Sequence, residues 1–434
     1  MVVCAVLLSS CEGGTYGLHF EVVDDHAVVT GYLGGDADVT VEAEYKGVPV
    51  TEVADGAFID EDNIIETITL PDTITRIGEG AFRDSKNLRE VRMQPGITEI
   101  GASAFTNCPA IESLVIPEGV KKIGDAAFSE CKALSSVSLP PTLTELGSRV
   151  FYKCESLTEV SLPAGVTVIP GWFFWGCSAL TTVNVAGEIT EIRDGAFMDC
   201  TSLTGFEIPK TVGKIGNSAF MACESITSLT VPDGVTVIED LTFYKCSSMT
   251  KCVLPDTVTV INREAFMFCS SLETIELPPD LTMLGEETFS NCTALKTITI
   301  PGGVTDLSKG LFERCRSLES VVLHDGITDM RVRAFSGCTS LSDITVPKGV
   351  TELPVSLFLD CTGLRSITIH DGVTAIADLA FSGCGSFVVR VWDGSYAEYW
   401  ATSVGKFTES MGQAANKYEP PVVPDRWDRP EDEE

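Results

Sequence analysis

Sixteen cysteines and four histidines are the residues of this chain with chemistry to offer. Thiols and imidazoles at short spacing can hold a metal ion, form disulfides or supply a nucleophile. The spacing argues against most of this. No two cysteines stand three positions apart, and no G-x-S-x-G, H-E-x-x-H or P-loop occurs. His324 and His370 lie in equivalent HDG triplets, two repeats apart. At one strand spacing per repeat that is roughly 10 Å, too far for one ion. They read as tolerated turn residues. The acids are scattered rather than paired, so no catalytic, metal or cofactor site is expected.

The cysteines are explained by position. Phe82, Phe105, Phe128, Phe151, Phe174 and Phe197 stand 23 residues apart, and so do Phe220, Phe243, Phe266, Phe289, Phe312, Phe335, Phe358 and Phe381. Phe58 begins the series. Three residues after each Phe comes a Cys, from Cys108 to Cys384, with Glu61 and Ser85 in that slot in the first two units. One unit, AFSECKALSSVSLPPTLTELGSR, carries Leu134, Val137 and Leu139 in an L-x-x-L-x-L ladder. The Val-Ser-Leu alternation predicts a short strand with one face inward. Pro140 ends it, because proline has no N–H for a ladder. Turn glycines in PEGV, PAGV and PDGV are expected to supply a positive φ. A second apolar pair (Leu143 and Leu146; Val166 and Ile169) crosses back to the next AF.

Such a unit cannot bury both its Leu and its Phe faces alone, whereas stacked copies can. The expected fold is a solenoid of about fifteen 23-residue units. It would carry a parallel β-sheet on one face, short strand, turn and 3-10 segments opposite, a Phe spine and a Cys column. The Cys column reads as buried thiols, with sporadic cross-links as the alternative in an oxidising compartment. Residues 12–50 are expected to form a strand cap, 51–392 the solenoid, 393–408 a capping helix and 409–434 an acidic, Pro-rich disordered tail. Ala397, Tyr399, Trp400 and Val404 would make the inner face of that helix.

The motif L-x-x-L-x-L-P-x-x-L-x-x-I-x-x-x-A-F-x-x-C resembles the BspA-like leucine-rich repeat family of bacterial surface proteins, over about residues 18–407. The resemblance implies a leucine-rich repeat solenoid. It also implies export, surface attachment and binding of host matrix or cell-surface proteins. The start of the chain agrees. VVCAVLL is like the apolar core of a secretory signal, and LSSC resembles a lipobox that would lipidate Cys11, making 1–11 a lipoprotein signal. A basic n-region is missing, and the alternative is a plain apolar N-terminus.

The formal charge is −32. Such a surface repels phosphates, so nucleic acid and anionic lipid are set aside, and membrane contact is expected only through the lipid anchor. A partner protein with a basic surface would suit it. Two surfaces are available. One is a lawn of hydroxyls on the outer sheet face, including Ser136, Thr182, Ser228 and Thr297. The other begins in GWFFWGC, residues 171–177, where four rings crowd a chain that is 8% aromatic. Phe174 belongs to the spine, and Phe173 is expected to be half-buried in a slot usually filled by a small residue. The residue after each spine Phe is Tyr152, Trp175, Met198, Met221, Tyr244 and Met267 in six consecutive units, and polar on both sides of them. With Trp172 and Phe268 these form a candidate protein-binding stripe. Packing between units is the competing explanation. Glycan stacking on Trp172 and Trp175 is the alternative function.

Overall fold

The computed structural model describes residues 15–59, 64–415 and 417–420. Cys11, Glu61 and the tail from 421 lie outside the described residues. The chain forms a parallel β-solenoid in which each 23-residue coil contributes two short strands. In the first ladder Ser113, Leu114 and Val115 face Ser136, Val137 and Ser138 of the next coil, and Glu159–Leu162 faces Thr182–Val185. In the second ladder Lys122–Ile123 lies between Glu99–Ile100 and Glu145–Leu146. The partners are one repeat apart, so one pattern of alternation suffices for the whole stack. Leu114, Val160 and Ile123 point inward and are buried, while Ser113, Ser136 and Glu159 face solvent.

The third wall, around the spine Phe, is also hydrogen-bonded from coil to coil. Ala126, Phe128 and Glu130 donate their N–H groups to the carbonyls of Ser148, Val150 and Tyr152, at 2.8, 3.0 and 2.7 Å. Every second N–H must therefore point along the solenoid axis. From Phe82 to Phe358 the chain achieves this by placing the residues two before and two after the Phe in the left-handed region, such as Ala126 (φ 55°) and Glu130 (φ 60°). Between them run i to i+3 turns, such as Ser129 N–H to the Ala126 carbonyl at 3.0 Å. The expected 3-10 character is present only as these single turns, because a left-handed residue interrupts each one.

The Phe spine is continuous from Phe58 to Phe381. Consecutive rings lie 4.9 to 5.9 Å apart and 4 to 26° from parallel. The rings from Phe58 to Phe358 are fully buried or nearly so, and Phe381 is 8% exposed beneath the cap. Each stacked pair contributes roughly 0.5–1.5 kcal/mol beyond its burial.

The turn glycines act differently from expectation. Gly119 has φ 113°, but Gly165 and Gly234 do not have a positive φ. They are required by close approach instead: a Cβ at Gly165 would lie 2.7 Å from the Leu143 carbonyl oxygen, and one at Gly234 2.9 Å from that of Val212. The turn packs directly on the coil before it.

Both ends are covered. At the N-terminus Leu18–Val23 and His26–Tyr32 form an antiparallel hairpin, and His26–Tyr32 pairs in parallel with Val48–Val53, which leads into the second ladder. Asp38–Thr40 opens the first ladder against Thr67–Thr69. At the C-terminus Val388–Asp393 extends the first ladder and is followed by the helix Tyr396–Ser403. Ser395 caps this helix by accepting the Glu398 N–H at 3.2 Å. Trp400 closes the spine with its ring 5.3 Å from Phe381.

The helix is shorter than 393–408, and its inner face is Ala397, Trp400 and Ala401. Tyr399 and Val404 are half exposed: Tyr399 lies about 100° from its neighbour Trp400, and the helix ends before Val404. The first part of the expected tail is sheet, because Phe407–Gln413 pairs in parallel with Val388–Asp393.

Phe220 is sandwiched between Phe197 and Phe243 and has no exposed surface. Phe220→Ala is expected to lower unfolding free energy by about 3–5 kcal/mol in urea denaturation. A loss below about 1 kcal/mol would show that the spine is not a packed stack. Arg333 is exposed and left-handed at φ 61°. Arg333→Gly should raise the urea midpoint, by an amount worth about 0.5–1 kcal/mol, since glycine adopts that conformation without a Cβ clash.

Candidate partner-binding surface

The four rings of GWFFWGC divide among three environments. Phe173 and Phe174 are both fully buried, so the half-buried expectation for Phe173 is corrected. Its ring meets Phe174 and Phe151 edge-on, at 4.6 and 5.3 Å. It fills the slot before the spine Phe that alanine occupies in most coils, including Ala127 and Ala196. The neighbouring Val150 shows that the slot admits larger side chains.

Trp175 is half-buried in the column that follows the spine Phe. Its ring stands edge-on to Tyr152 of the preceding coil at 5.0 Å. Its Nε1–H donates to Asp199 Oδ2 of the following coil at 2.9 Å. Met198, Met221, Tyr244 and Met267 continue the column and are likewise half-buried. Phe268 is 36% exposed and meets Tyr244 edge-on at 5.6 Å. The stripe is therefore one column of apolar residues in consecutive coils that keep part of their surface in water, with Trp175 and Tyr244 also packed on rings of the adjacent coils. Charge accompanies it: Lys153 lies over the Tyr152 ring at 5.1 Å, and Lys245 pairs with Glu224 at 2.8 Å.

Trp172 stands apart from this column, in the left-handed position two residues before the spine Phe (φ 54°). The Arg149 guanidinium lies 4.8 Å from the centre of its ring. On the other side Gly195 makes room, since a Cβ there would lie 2.5 Å from Trp172 Cδ1. A shallow groove beside it is lined by Glu191, Arg193, Asp194 and Lys214. Sequence reasoning missed Arg149, Gly195 and Asp199 as partners of the tryptophans. The period could have found them, because Arg149, Trp172 and Gly195 share one column, and Asp199 occupies the column of Lys153 and Gly176.

The outer face of the first ladder is mostly hydroxyl and charged, as read from the sequence, but Val115 and Val322 also stand well exposed on it. Ion pairs run from coil to coil on both ladders, Lys296 with Glu273 at 2.6 Å beside the first and Lys122 with Glu99 at 2.9 Å on the second. These are half-exposed, and such pairs add little stability. With 62 acidic against 30 basic residues, most acids have no basic partner to neutralise them.

The cysteines of the column are free thiols, buried from Cys108 to Cys361, with Cys384 partly exposed. Each sulfur donates to the carbonyl of the spine Phe one coil back, at 2.9 to 3.2 Å. Ser85 makes the same bond to the Phe58 carbonyl at 3.2 Å. From Cys108 to Cys361 burial suppresses ionisation, and it pushes Cys131 up to about 12. Such thiols are poor nucleophiles and metal ligands.

Among the described residues no group of His, Cys, Asp or Glu is arranged to hold a metal ion. His324 Nε2 meets the Val304 carbonyl at 3.0 Å, and His324 and His370 each accept a turn N–H at Nδ1, at 3.1 and 3.0 Å. Both act as turn residues. No helix among the described residues is long and apolar enough to cross a membrane.

No curated protein matches the chain. A leucine-rich repeat protein from Bacteroides ovatus is 25% identical with a TM-score of 0.71, covering 93% of this chain and 100% of its own. A leucine-rich repeat protein from T. pallidum is 28% identical, with a TM-score of 0.40 over 48% of this chain and 88% of its own. A leucine-rich cell-surface protein from Faecalibacterium prausnitzii is 25% identical, with a TM-score of 0.46 over 90% of this chain and 96% of its own. The sequence profile described as BspA type leucine rich repeat region matches residues 51–181, 167–292 and 259–388. With that profile spanning most of the solenoid and the coil geometry matching it, the chain belongs to the BspA-type leucine-rich repeat family.

Proposed function

We propose that this chain is a non-enzymatic binding protein of the bacterial cell surface, tethered by lipid on Cys11 and adhering to host matrix or cell-surface proteins through its solenoid. The observation that carries the reading is the half-exposed column Tyr152, Trp175, Met198, Met221, Tyr244 and Met267, ending at Phe268, on a rigid and strongly acidic frame. Aromatic residues and Met are enriched where proteins dock, and they bind best when a polar rim excludes water around them. The acidic excess favours a partner with a basic surface and speeds its approach.

The column geometry supports protein contact over sugar stacking. A sugar needs an open ring face, and the Trp172 ring already carries the Arg149 guanidinium on one side. Trp175 spends its indole N–H on Asp199. Glycan binding remains an outcome of the test below.

The test is binding of the soluble chain, with Cys11 replaced by Ala, to arrays of matrix proteins and glycans. The double variant Trp175→Ala/Tyr244→Ala should weaken protein binding about tenfold or more, as loss of clustered anchors does. Thr182→Ala/Ser228→Ala on the sheet face should change it less than about twofold. Raising salt to about 0.5 M should weaken binding, because the Debye length then falls to a few ångströms. Unchanged binding after the stripe variant, or signals confined to glycans and indifferent to salt, would overturn the reading.

A further inference from the structure

The thiol column has one end that differs from the rest. Cys108 to Cys361 are sealed between coils, but Cys384 is half-buried. It sits in the last coil before the register slips. Its neighbours Gly383, Gly385 and Ser386 are exposed, so Cys384 is the member of the column that borders solvent. On its inner side the next member of the column is Cys361, and each of the two thiols donates to the carbonyl of a spine Phe one coil back, Cys384 to Phe358 and Cys361 to Phe335, both at 3.0 Å.

The backbones of these two coils are held together up to the thiols. Phe358 N–H donates to the Ala380 carbonyl at 2.8 Å, and Asp360 N–H to that of Ser382 at 2.8 Å. In-register neighbours of this kind have Cα atoms about 4.8 Å apart, within the range a disulfide spans.

We propose that Cys384 and Cys361 form a thiol–disulfide exchange site that takes small-molecule disulfides such as oxidised glutathione and ends as an intramolecular Cys361–Cys384 bond. Cys384, as thiolate, attacks one sulfur of the incoming disulfide. A mixed disulfide forms and one glutathione thiolate leaves, taking up the proton Cys384 released. Cys361 then loses its proton and attacks the Cys384 sulfur, and the second glutathione leaves as its thiol. Two protein thiols are oxidised and one disulfide is reduced to two thiols, so atoms and electrons balance.

The surroundings suit this order of events. The Cys361 S–H can turn toward the Cys384 sulfur as it ionises, which holds Cys384 below the usual thiol range, and the Lys406 ammonium adds to the effect. The same contact, with burial, pushes Cys361 up, so it keeps its proton until the mixed disulfide forms. Closing the bond removes the S–H donors to the Phe335 and Phe358 carbonyls. Both oxygens keep a backbone donor, Cys338 N–H at 3.1 Å and Cys361 N–H at 3.2 Å. The product would tie the last two coils together at the edge of the C-terminal cap.

The experiment treats the native full-length protein with oxidised glutathione, quenches with an alkylating agent and maps peptides without reduction, which also separates Cys384 from Cys4 and Cys11. The expected product is a Cys361–Cys384 linkage, with Cys108 to Cys338 alkylated only after denaturation. Cys361→Ser should stop at a stable glutathione adduct on Cys384, and Cys384→Ser should take up nothing within the column. Both variants should fold, since Ser85 already fills this slot with the same hydrogen bond. Circular dichroism checks that they do. Absence of the adduct from folded Cys361→Ser, or a first cross-link elsewhere in the column, would overturn the proposal.

Discussion

The structure rests on one constraint: after 23 residues the chain must return one strand spacing further along the axis, with its N–H groups aimed at the coil ahead. Two walls meet this as ordinary parallel ladders. The third does so by spending left-handed residues, as at Arg149 and Lys153 (φ 59° and 53°) around Phe151. That conformation costs a non-glycine residue about 1 kcal/mol or more. It is retained because it places Arg149, Phe151 and Lys153 N–H on the carbonyls of Gly171, Phe173 and Trp175, at 3.1, 3.0 and 2.7 Å. An unmade bond at each of these sites would cost roughly as much again.

The core follows from that register. Since each coil presents the same slot to the next, a ring in one coil selects a ring in its neighbour, and a cysteine a cysteine. Thiols suit the slot because it is apolar on most sides and offers one carbonyl. Cys108 fills the space and donates to the Phe82 oxygen at 3.0 Å. Ser85 meets the hydrogen-bond requirement while burying less apolar volume. A disulfide between every pair is not needed to explain the column.

The period made most of this legible before any coordinates. Phe, Cys and the two ladders recur at fixed offsets, and a recurring offset in a stack is a shared environment. What the period could not give was the direction of individual side chains where the repeat departs from itself. Phe173 replaces a small residue and turns fully inward, where its ring packs edge-on against Phe174 and Phe151. The helix ended early because the strand Phe407–Gln413 completes the sheet instead. At Gly165 and Gly234 sequence logic named the right residue for the wrong reason, since crowding by the previous coil is invisible in a single unit.

Function must be sought where the stack leaves residues free. The spine, the alanine slot, the thiol slot and the inward strand positions are fixed by their neighbours. The position after each spine Phe is different: Thr106 bonds the Ala126 carbonyl there at 2.7 Å, while Ser129 and Ser290 are buried in the same slot. A short polar side chain therefore satisfies it. Six consecutive coils nevertheless place Tyr, Trp or Met at that slot, and each large side chain extends past its neighbours into water. Packing alone accepts serine there, so the part of Trp175 or Tyr244 that remains wet contributes nothing to the stack. That unspent apolar surface is what a partner could cover, and it lies in the coils whose interior is already complete without it.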